Sequence, residues 1–257
     1  MKKNRYAFTN GLILTGEEGM EPIRGQILFT DGDRIEALRP DGASTDGSTS
    51  VIEECLKREE RKVKFISEPD HGMYEAINKG IRMATGDVIA LCHSDDQLYD
   101  AHTVEKVVKV FEQHPEADMV YADGVFVNGN GQAVRVWKGG RNRRWKLNCG
   151  WLPLHTTFFI RKGVFEQYGL YDESYRIAAD TKLLLELLYK ERLKTAYLNE
   201  YVVRMLMGGA STDKEMVRKM WKEDIRVFKE MGFHFPVVMK MMKMMWKPAQ
   251  FVRAKWA

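Results

Sequence analysis

Two adjacent carboxylates follow a short, wholly apolar segment of the chain. Ser94-Asp95-Asp96 comes shortly after the run 88–92, Val-Ile-Ala-Leu-Cys, which has the composition of a buried parallel strand. Ligands of parallel sheets bind beyond the carboxyl ends of the strands. A divalent cation there would relieve the repulsion between the carboxylates and bridge to a diphosphate. The alternative is that Asp95 and Asp96 cap a helix beginning near Thr103, or lie in a solvated turn.

A loop of small residues runs from Asp41 to Gly47, with the sequence Asp-Gly-Ala-Ser-Thr-Asp-Gly. Small residues let a backbone approach a ligand closely, and Asp41 could accept hydrogen bonds from a ribose or a base. Ser44, Thr45 or Asp46 could equally cap the helix that is predicted to follow. Taken alone, this loop favours the helix cap over the ligand site.

A third segment, residues 68–80, has the sequence Glu-Pro-Asp-His-Gly-Met-Tyr-Glu-Ala-Ile-Asn-Lys-Gly and opens a predicted helix. The N-terminus of a helix can face an anion such as a phosphate. The alternative is that Asp70 is an ordinary N-cap of a helix that ends near Ala84-Thr85-Gly86. Capping rules alone account for the segment.

A fourth segment contains a carboxylate and aromatic residues. Asp180 stands where a helix begins near Thr181, so it could act as a general base or as an N-cap. Residues 150–159 bring Trp151 and His155 together with further aromatic rings. Aromatic faces suit the apolar faces of sugars, although such residues more often belong to a core.

Alternating strands and helices would position these segments. Strands are predicted at 63–66, 88–92 and 119–128, and helices at 48–61, 73–84 and 103–114. This alternation predicts βαβ units, a parallel sheet and an α/β fold. Residues 1–40 differ, because short apolar runs punctuated by Gly, Pro and Asn-Gly predict a small β-meander. From residue 183 onward the chain is predicted to be largely helical.

The composition excludes several classes of protein. The chain has 257 residues, of which 44% are hydrophobic and 30% charged, as in ordinary globular domains. The net charge of +4 is too small to indicate a nucleic-acid partner. The three cysteines form no CxxC pair and indicate reduced thiols in the cytoplasm. No apolar run approaches the ~20 residues of a membrane span, and no HxH or HExxH indicates a zinc site.

The order and spacing of the four segments resemble those of the family 2 glycosyltransferases with the GT-A fold. The similarity covers about residues 41–212. It is carried by the segments 41–47, 68–80, 84–87, 94–96, 151–159, 168–172, 177–180 and 208–212. Within that family the chain looks most like transferases of bacterial surface polysaccharides. The resemblance implies a GT-A (Rossmann-like), mostly parallel sheet flanked by helices. It also implies inverting transfer of a sugar from a nucleotide-sugar, first of all a UDP-sugar, to a glycan acceptor.

The resemblance also implies roles on the donor side. Asp41 would contact the base or ribose of the nucleotide. Asp96 would be the main ligand of Mn²⁺ or Mg²⁺ on the donor diphosphate, with Asp95 near the ribose or the donor sugar. The residues implied to lie beside the nucleotide-sugar are Asp70, Gly72 and Asn78.

On the acceptor side, the resemblance implies that Asp180 deprotonates the acceptor hydroxyl, which then displaces the nucleoside diphosphate with inversion. Trp151 and His155 would line the acceptor side. The chemistry is consistent, because the metal stabilises the leaving group and one carboxylate supplies the base.

The N-terminus departs from the family pattern. An apolar first strand ending in a Thr-x-x-Tyr-Asn-like turn is expected there, and residues 1–40 do not contain it. Residues 6–40 instead resemble the N-terminal β-segment of amidohydrolases of the N-acetylglucosamine-6-phosphate deacetylase type, although the metal-binding histidines and the barrel of that family are missing. A chimeric N-terminus is therefore predicted. It either supplies substitute strands or leaves an inactive or binding-only relic, and deacetylation remains a weaker alternative.

The C-terminal region, residues 213–257, is predicted to be a helical, basic and amphipathic tail after the N-terminal segment (1–40) and the catalytic domain (41–212). Its last part is predicted to form a helix over 236–247 with the lysines on one stripe. The basic residues after 236 are Lys240, Lys243, Lys247, Arg253 and Lys255, with no acid. Basic residues beside Met and Trp are typical of an interfacial helix on anionic lipid. We therefore expect a peripheral protein at the inner face of the cell membrane with a lipid-linked acceptor. The alternative is a docked helix with solvated lysines.

Overall fold

The computed structural model describes four N-terminal strands within residues 5–65, together with residues 70–93, 96–207 and 214–254. The chain divides into two compact units. Unit 1 comprises Met1–Leu98 and Phe159–Leu170, and unit 2 comprises Tyr99–Phe158 and Tyr171–Ala257.

The strands in chain order are β1 (Arg5–Thr9), β2 (Leu28–Asp31), β3 (Arg34–Leu38), β4 (Lys64–Phe65), β5 (Val88–Leu91), β6 (Asp96–Leu98), β7 (Met119–Val127), β8 (Ala133–Trp137), β9 (Phe158–Arg161) and β10 (Thr195–Leu206). The helices are α1 (Met73–Met83), α2 (Thr103–Gln113), α3 (Arg144–Asn148), α4 (Lys162–Tyr168), α5 (Ala179–Leu185), α6 (Lys214–Glu230), α7 (Pro236–Met245) and α8 (Lys247–Arg253). A 3₁₀ turn spans His155–Thr157 and a π-helical turn spans Glu186–Lys190.

Unit 1 is built on a sheet with the strand order β4-β3-β2-β1-β5-β9. Strand β1 runs parallel to β5, with Tyr6 opposite Val88 and Thr9 opposite Leu91. Strands β2 and β3 form an antiparallel hairpin, and β9 is antiparallel to β5. The predicted N-terminal β-meander is therefore present in β1 to β3, while its Asn10-Gly11 turn lies outside the described residues.

Strand β5 and the apolar face of α1 contribute to the core of unit 1. All four residues of β5 are buried, as the wholly apolar run predicts. Tyr74, Ile77 and Ile81 recur on one face of α1 and are buried as well. Full burial of each isoleucine contributes about 1.5–3 kcal/mol. Both elements match their predicted positions to within two residues.

Unit 2 contains the sheet β8-β7-β10. Strand β10 is parallel to β7, whereas β8 returns antiparallel after a tight turn in which Gly131 has φ +76°. A connection this short cannot make the crossover that a parallel pair needs. The pairs β1–β2, β2–β3, β5–β9 and β7–β8 are all antiparallel. The strand pairing is therefore mixed, and not mostly parallel as the sequence predicted.

Strand β10 corrects the prediction that the chain is largely helical after residue 183. It is twelve residues long and rich in the tyrosines and valines that favour strands. Its pairing with β7 is interrupted by register shifts between Leu198 and Val203, so the period-2 pattern is broken. Helix α6 and the helices that follow it agree with the prediction.

A glycine lets helix α7 pack closely against the segment 149–150 of the same unit. Gly150 has φ +70°, and a Cβ atom at this position would lie 2.8 Å from the backbone N of Lys243 and 2.8 Å from the backbone O of Met239. The indole N–H of Trp246 donates to the Cys149 carbonyl at 2.9 Å. The two contacts dock α7 and Trp246, which follows it, on the segment 149–150.

The lysines of α7 do not form the predicted exposed stripe. Lys240 is buried and donates to Asp224, and Lys243 donates to the other oxygen of Asp224 at 2.8 Å. A buried carboxylate without a partner would be strongly destabilising, so the two ammonium groups compensate the charge of Asp224. The tail is therefore docked, as the alternative held, but these two lysines point inward and are not solvated.

The outward surface of α7 and α8 is apolar instead. Its exposed members are Val237, Val238, Met241, Met244, Met245, Phe251 and Val252. Among the helices that the structure describes, none is long and apolar enough to cross a membrane.

Candidate active site

Asp70 is held by an ion pair at the start of α1. Its Oδ1 atom lies 2.7 Å from Nζ of Lys79, and its side chain is buried. The N-cap of α1 is Gly72, not Asp70, so the N-cap alternative for Asp70 is wrong. Glu75, in the first turn of α1, accepts the backbone N–H of His71, the residue before the N-cap, at 2.6 Å. This hydrogen bond and Lys79 lower the pKa of Glu75 to about 2.

Asn78 lies on the buried face of α1 and is only 1% exposed. Burying an amide costs about 1–3 kcal/mol unless it is hydrogen-bonded, so a buried asparagine at this position is expected to use its amide in hydrogen bonds. Asp70, Gly72 and Asn78 thus stand within one turn-and-helix segment, as the sequence spacing predicts. Asp41 lies outside the described residues.

Asp96 closes a tight turn at the carboxyl end of β5. Its Oδ2 atom accepts the backbone N–H of His93 at 3.2 Å, and its own N–H donates to the His93 carbonyl at 2.9 Å. The residue is 1% exposed, so the solvated-turn alternative is wrong for Asp96. The helix-cap alternative is wrong as well, because Asp100 hydrogen-bonds the start of α2 through His102 and Thr103. Asp95 lies outside the described residues.

The chemistry of Asp96 is compatible with a divalent cation. Mn²⁺ and Mg²⁺ prefer carboxylate oxygens, and Mg²⁺ is usually held by one or two carboxylates together with substrate phosphates. Within residues 70–93, 96–207 and 214–254 there is no group of three or more His, Cys, Asp or Glu that could hold a metal by itself. A single buried carboxylate is compatible with a cation whose other ligands come from the diphosphate of a bound substrate.

Asp180 lies in the first turn of α5, two residues past the N-cap position. The N-cap is Ala178, so the N-cap alternative for Asp180 is wrong. The Thr181 backbone N–H donates to Asp180 Oδ1 at 2.6 Å. Burial raises the pKa of the Asp180 carboxyl, and the charge of Lys243 opposes that rise. A carboxylate whose pKa is moved toward neutrality is suited to accept a proton.

Helix α5 receives its cap from another helix. The carboxylate of Glu223 on α6 accepts the backbone N–H groups of Arg176, Ile177 and Ala178 at 3.0, 2.9 and 2.9 Å. A negative charge is favoured at this end of a helix. Sequence reasoning missed Glu223. Its neighbours along α6 give no signal of a contact with residues more than forty positions away.

Tyr171 connects two predicted acceptor-side residues. The His155 ring meets Tyr171 edge-to-face at 6.3 Å and Phe158 at 6.5 Å. Burial lowers the pKa of His155 to about 4, so its imidazole is neutral near pH 7. Burial and the charge of Asp180 raise the pKa of Tyr171. Tyr171 was part of a recognised motif, but its place beside Asp180 was not predicted.

Trp151 has the contacts of a core residue. It is 5% exposed, meets the Tyr121 ring edge-on at 6.4 Å, and has Nζ of Lys146 at 4.9 Å from its ring centroid. Its role on the acceptor side stays a prediction.

Comparisons with known proteins point in one direction. The sequence model described as Glycosyl transferase family 2 matches residues 21–169. A relative from Mycobacterium bovis (strain BCG / Pasteur 1173P2), named "PGL/p-HBAD biosynthesis glycosyltransferase", is 28% identical over 198 residues, which is 74% of each chain.

Solved structures show the same similarity of fold. The chain matches S. aureus TarS 1-349 in complex with UDP with a TM-score of 0.51 and 17% identity, over 77% of this chain and 62% of that one. In another TarS structure it spans only 33% of the chain, with a TM-score of 0.54. It also matches the mannosyltransferase PcManGT from Pyrobaculum calidifontis, in complex with GDP-Man and Mn²⁺, with a TM-score of 0.54 and 13% identity, over 83% of this chain and 63% of that one.

Proposed function

Since the chain belongs to glycosyl transferase family 2 and is a glycosyltransferase of glycan biosynthesis, we propose that it is a metal-dependent, inverting enzyme that uses a nucleotide-sugar. The predicted GT-A fold and transferase class are confirmed by the comparisons. The observation that carries the inverting mechanism is Asp180, a buried carboxylate in the first turn of α5 with a raised pKa.

The donor side is assigned to the residues of unit 1. Asp96 would hold Mn²⁺ or Mg²⁺, and the metal would supply charge stabilisation of the leaving diphosphate. Asp70 and Asn78 would orient the nucleotide-sugar, with the Asp70 carboxylate kept in place by Lys79. The neighbouring structures carry UDP and GDP-Man, which supports a nucleotide-sugar donor. UDP-sugars are the first donors to test.

The acceptor side is assigned to Asp180 and the residues around it. Asp180 takes the proton of the acceptor hydroxyl, and the resulting oxygen nucleophile forms a bond to the anomeric carbon of the donor sugar. The bond between that carbon and the diphosphate breaks on the opposite face, so the configuration inverts and the proton stays on Asp180. Burial lowers the pKa of His155 to about 4, which makes its imidazole a poor proton acceptor and favours the Asp180 carboxylate as the base.

Separating donor binding from transfer tests this assignment. Calorimetric titration of UDP and GDP with and without Mn²⁺ should show metal-dependent binding that Asp96→Ala abolishes. Asp180→Asn should retain that binding and lose transfer by at least about 100-fold, the range of general-base contributions. Glu166→Gln, at an exposed carboxylate, is the control for both variants. Full transfer activity in Asp180→Asn would remove the base assignment, and a product of retained configuration would contradict inversion.

The alternative function is a binding-only relic, in which the unusual N-terminus fails to complete the nucleotide pocket. Strand β1 supplies a parallel neighbour for β5, the strand that leads to Asp96. This pairing supports the enzyme over the relic, because the edge of β5 is completed by residues of the unusual segment. Cooperative unfolding without any response to UDP, GDP, CMP or dTDP would favour the relic instead.

A lipid-linked acceptor and attachment to an anionic membrane surface through residues 236–257 complete the proposal. The support is the exposed apolar surface of α7 and α8, since apolar patches of this kind mark interaction sites. Beside it in sequence, α6 exposes a mainly basic face, which is complementary to anionic lipid. Its exposed basic residues are Arg218, Lys219, Lys222, Arg226 and Lys229.

Vesicle sedimentation tests the membrane contact. The protein should sediment with vesicles of phosphatidylglycerol and phosphatidylcholine, and the double variant Met241→Gln/Met245→Gln should reduce this several-fold. Met73→Gln, an exposed methionine of unit 1, is the matched control. Equal sedimentation of all three proteins would contradict the contact, and loss of a dimer in the double variant would assign the surface to a second copy of the chain.

A further inference from the structure

The acceptor-side helix and the docked C-terminal helix share one cluster of charges. Asp224 on α6 is 0% exposed, and both of its carboxylate oxygens are bound by ammonium groups of α7. Lys240 binds Oδ2, and Lys243 binds Oδ1 at 2.8 Å. One buried carboxylate therefore faces two lysines. Lys243 is partly buried, with its side chain 22% exposed, and its ammonium group has three donors, so it can also serve a second acid.

Lys243 reaches toward that second acid. Its Nζ atom donates a further hydrogen bond to Thr181 Oγ1 at 2.8 Å. Thr181 is the neighbour of Asp180 and donates its backbone N–H to Asp180 Oδ1 at 2.6 Å. A continuous path of hydrogen bonds therefore leads from Asp224 through Lys243 and Thr181 to Asp180. With both acids ionised, the two carboxylates and the two lysines have no net charge.

We propose that Lys243 is a positioning residue for the reaction: from the C-terminal helix it fixes Thr181 and keeps the neighbouring carboxylate of Asp180 ionised and oriented toward the acceptor. The proposal rests on the proposed role of Asp180 as base. It assigns a function in the active site to α7, a helix that lies outside the segment matched by the family.

The packing of α7 supports this role. Gly150 allows the backbone of α7 to approach so closely that a Cβ atom would meet Lys243 N at 2.8 Å. The Lys243 backbone is thus fixed at the same place where its ammonium group binds Asp224 and Thr181. The position of the charge is set by the docking of the helix rather than by the flexible lysine side chain.

The groups that face Asp180 are Lys240 and Lys243 from α7, Asp224 from α6, and Tyr171 from the segment before α5. The two lysines favour the ionised form of Asp180, and Asp224 opposes it. Tyr171 is neutral near pH 7, because its pKa is raised. Removal of Lys243 leaves two carboxylates facing one lysine, so the pKa of Asp180 should rise.

The test is the pH profile of kcat at saturating donor and acceptor. In Lys243→Met the acidic limb should move to higher pH by about one unit, with roughly tenfold lower transfer on that limb. Lys243→Arg, which keeps the charge, should restore the limb. Lys229→Met, at an exposed lysine of α6, is the control. A profile that is uniformly lower but not displaced would overturn the proposal.

Asp224→Asn provides a prediction of opposite sign. It leaves two lysines facing Asp180 alone, so the acidic limb should move to lower pH. Should Lys243→Met fail to fold, this variant still decides the question, since an unmoved limb contradicts the electrostatic link.

A measurement without turnover separates this inference from the proposed function. The carboxyl carbon of Asp180 is followed by NMR in protein labelled with ¹³C-aspartate, with Asp180→Asn for assignment. A titration midpoint that rises in Lys243→Met supports the link even if no transfer is found, in which case only the function fails. An unchanged midpoint in an active enzyme overturns the link and leaves the function intact.

Discussion

The carboxylate of Glu223 accepts the backbone N–H of Ala178 at 2.9 Å, and so α6 caps the helix that presents Asp180. The same carboxylate binds the two preceding N–H groups. The start of α5 is therefore held by a residue from another part of the chain. This relationship makes the orientation of Asp180 dependent on the packing of α6.

Replacement of Glu223 by alanine should impair both stability and transfer. Three backbone N–H groups lose their acceptor, and an unsatisfied buried group costs about 1–3 kcal/mol. Denaturant unfolding should show a loss in this range, and kcat should fall while donor affinity is unchanged. Glu215→Ala, at an exposed position on α6, is the control. Unchanged kcat in Glu223→Ala would show that the cap does not orient Asp180.

Gly150→Ala should separate the C-terminal helix from its docking site. The new Cβ would lie 2.8 Å from backbone atoms of α7 at φ +70°, and overpacking costs about 1–3 kcal/mol. Faster hydrogen exchange in α7 and a lower midpoint of thermal unfolding are expected. Gly163→Ala is a matched control, because a Cβ there meets nothing within 4 Å. Equal behaviour of the two variants would refute the close approach.

Protonation of His155 should destabilise the protein in mildly acidic solution. Burial lowers its pKa in the folded protein to about 4, from the ordinary histidine value of 6.5, so between these values the unfolded chain binds the proton and the folded protein does not. The free energy of unfolding should therefore fall as pH decreases from about 6.5 to about 4, by at most ~1.4 kcal/mol per unit. His155→Gln should reduce this slope, whereas the exposed His114→Gln should not. Equal slopes in all three proteins would argue against a neutral buried imidazole.

Arg135 should anchor the last helix. Its guanidinium lies 4.6 Å from the Phe126 ring centroid and 5.6 Å from that of Phe251, and its Nε donates to Gln250 Oε1 at 2.6 Å. Burial lowers the pKa of Arg135 to about 10, so it remains charged at neutral pH. In Arg135→Met, hydrogen exchange should rise within α8 and remain unchanged in α1. Unchanged exchange in α8 would mean that apolar contacts suffice to hold it.

Local sequence determined the elements that carry the donor-side residues. The apolar run 88–92 predicted the buried strand β5, and the periodic apolar residues of 73–84 predicted α1. These elements follow from hydrophobic period and capping, which act over a few residues. The order of the motifs likewise indicated the family from the sequence alone. Strand β10 escaped prediction because its bulges break the local pattern.

Tertiary packing decided what surrounds Asp180. The hydrogen bonds that Glu223 accepts from Ile177 and that Lys243 donates to Thr181 join residues 46 and 62 positions apart. No local pattern specifies such pairs. The sequence determined that α7 is amphipathic, with lysines on one stripe. Only the tertiary structure, through the buried carboxylate of Asp224, decided that this stripe faces inward. An ammonium group loses its hydration on burial, and the attraction of a fixed carboxylate offsets that loss.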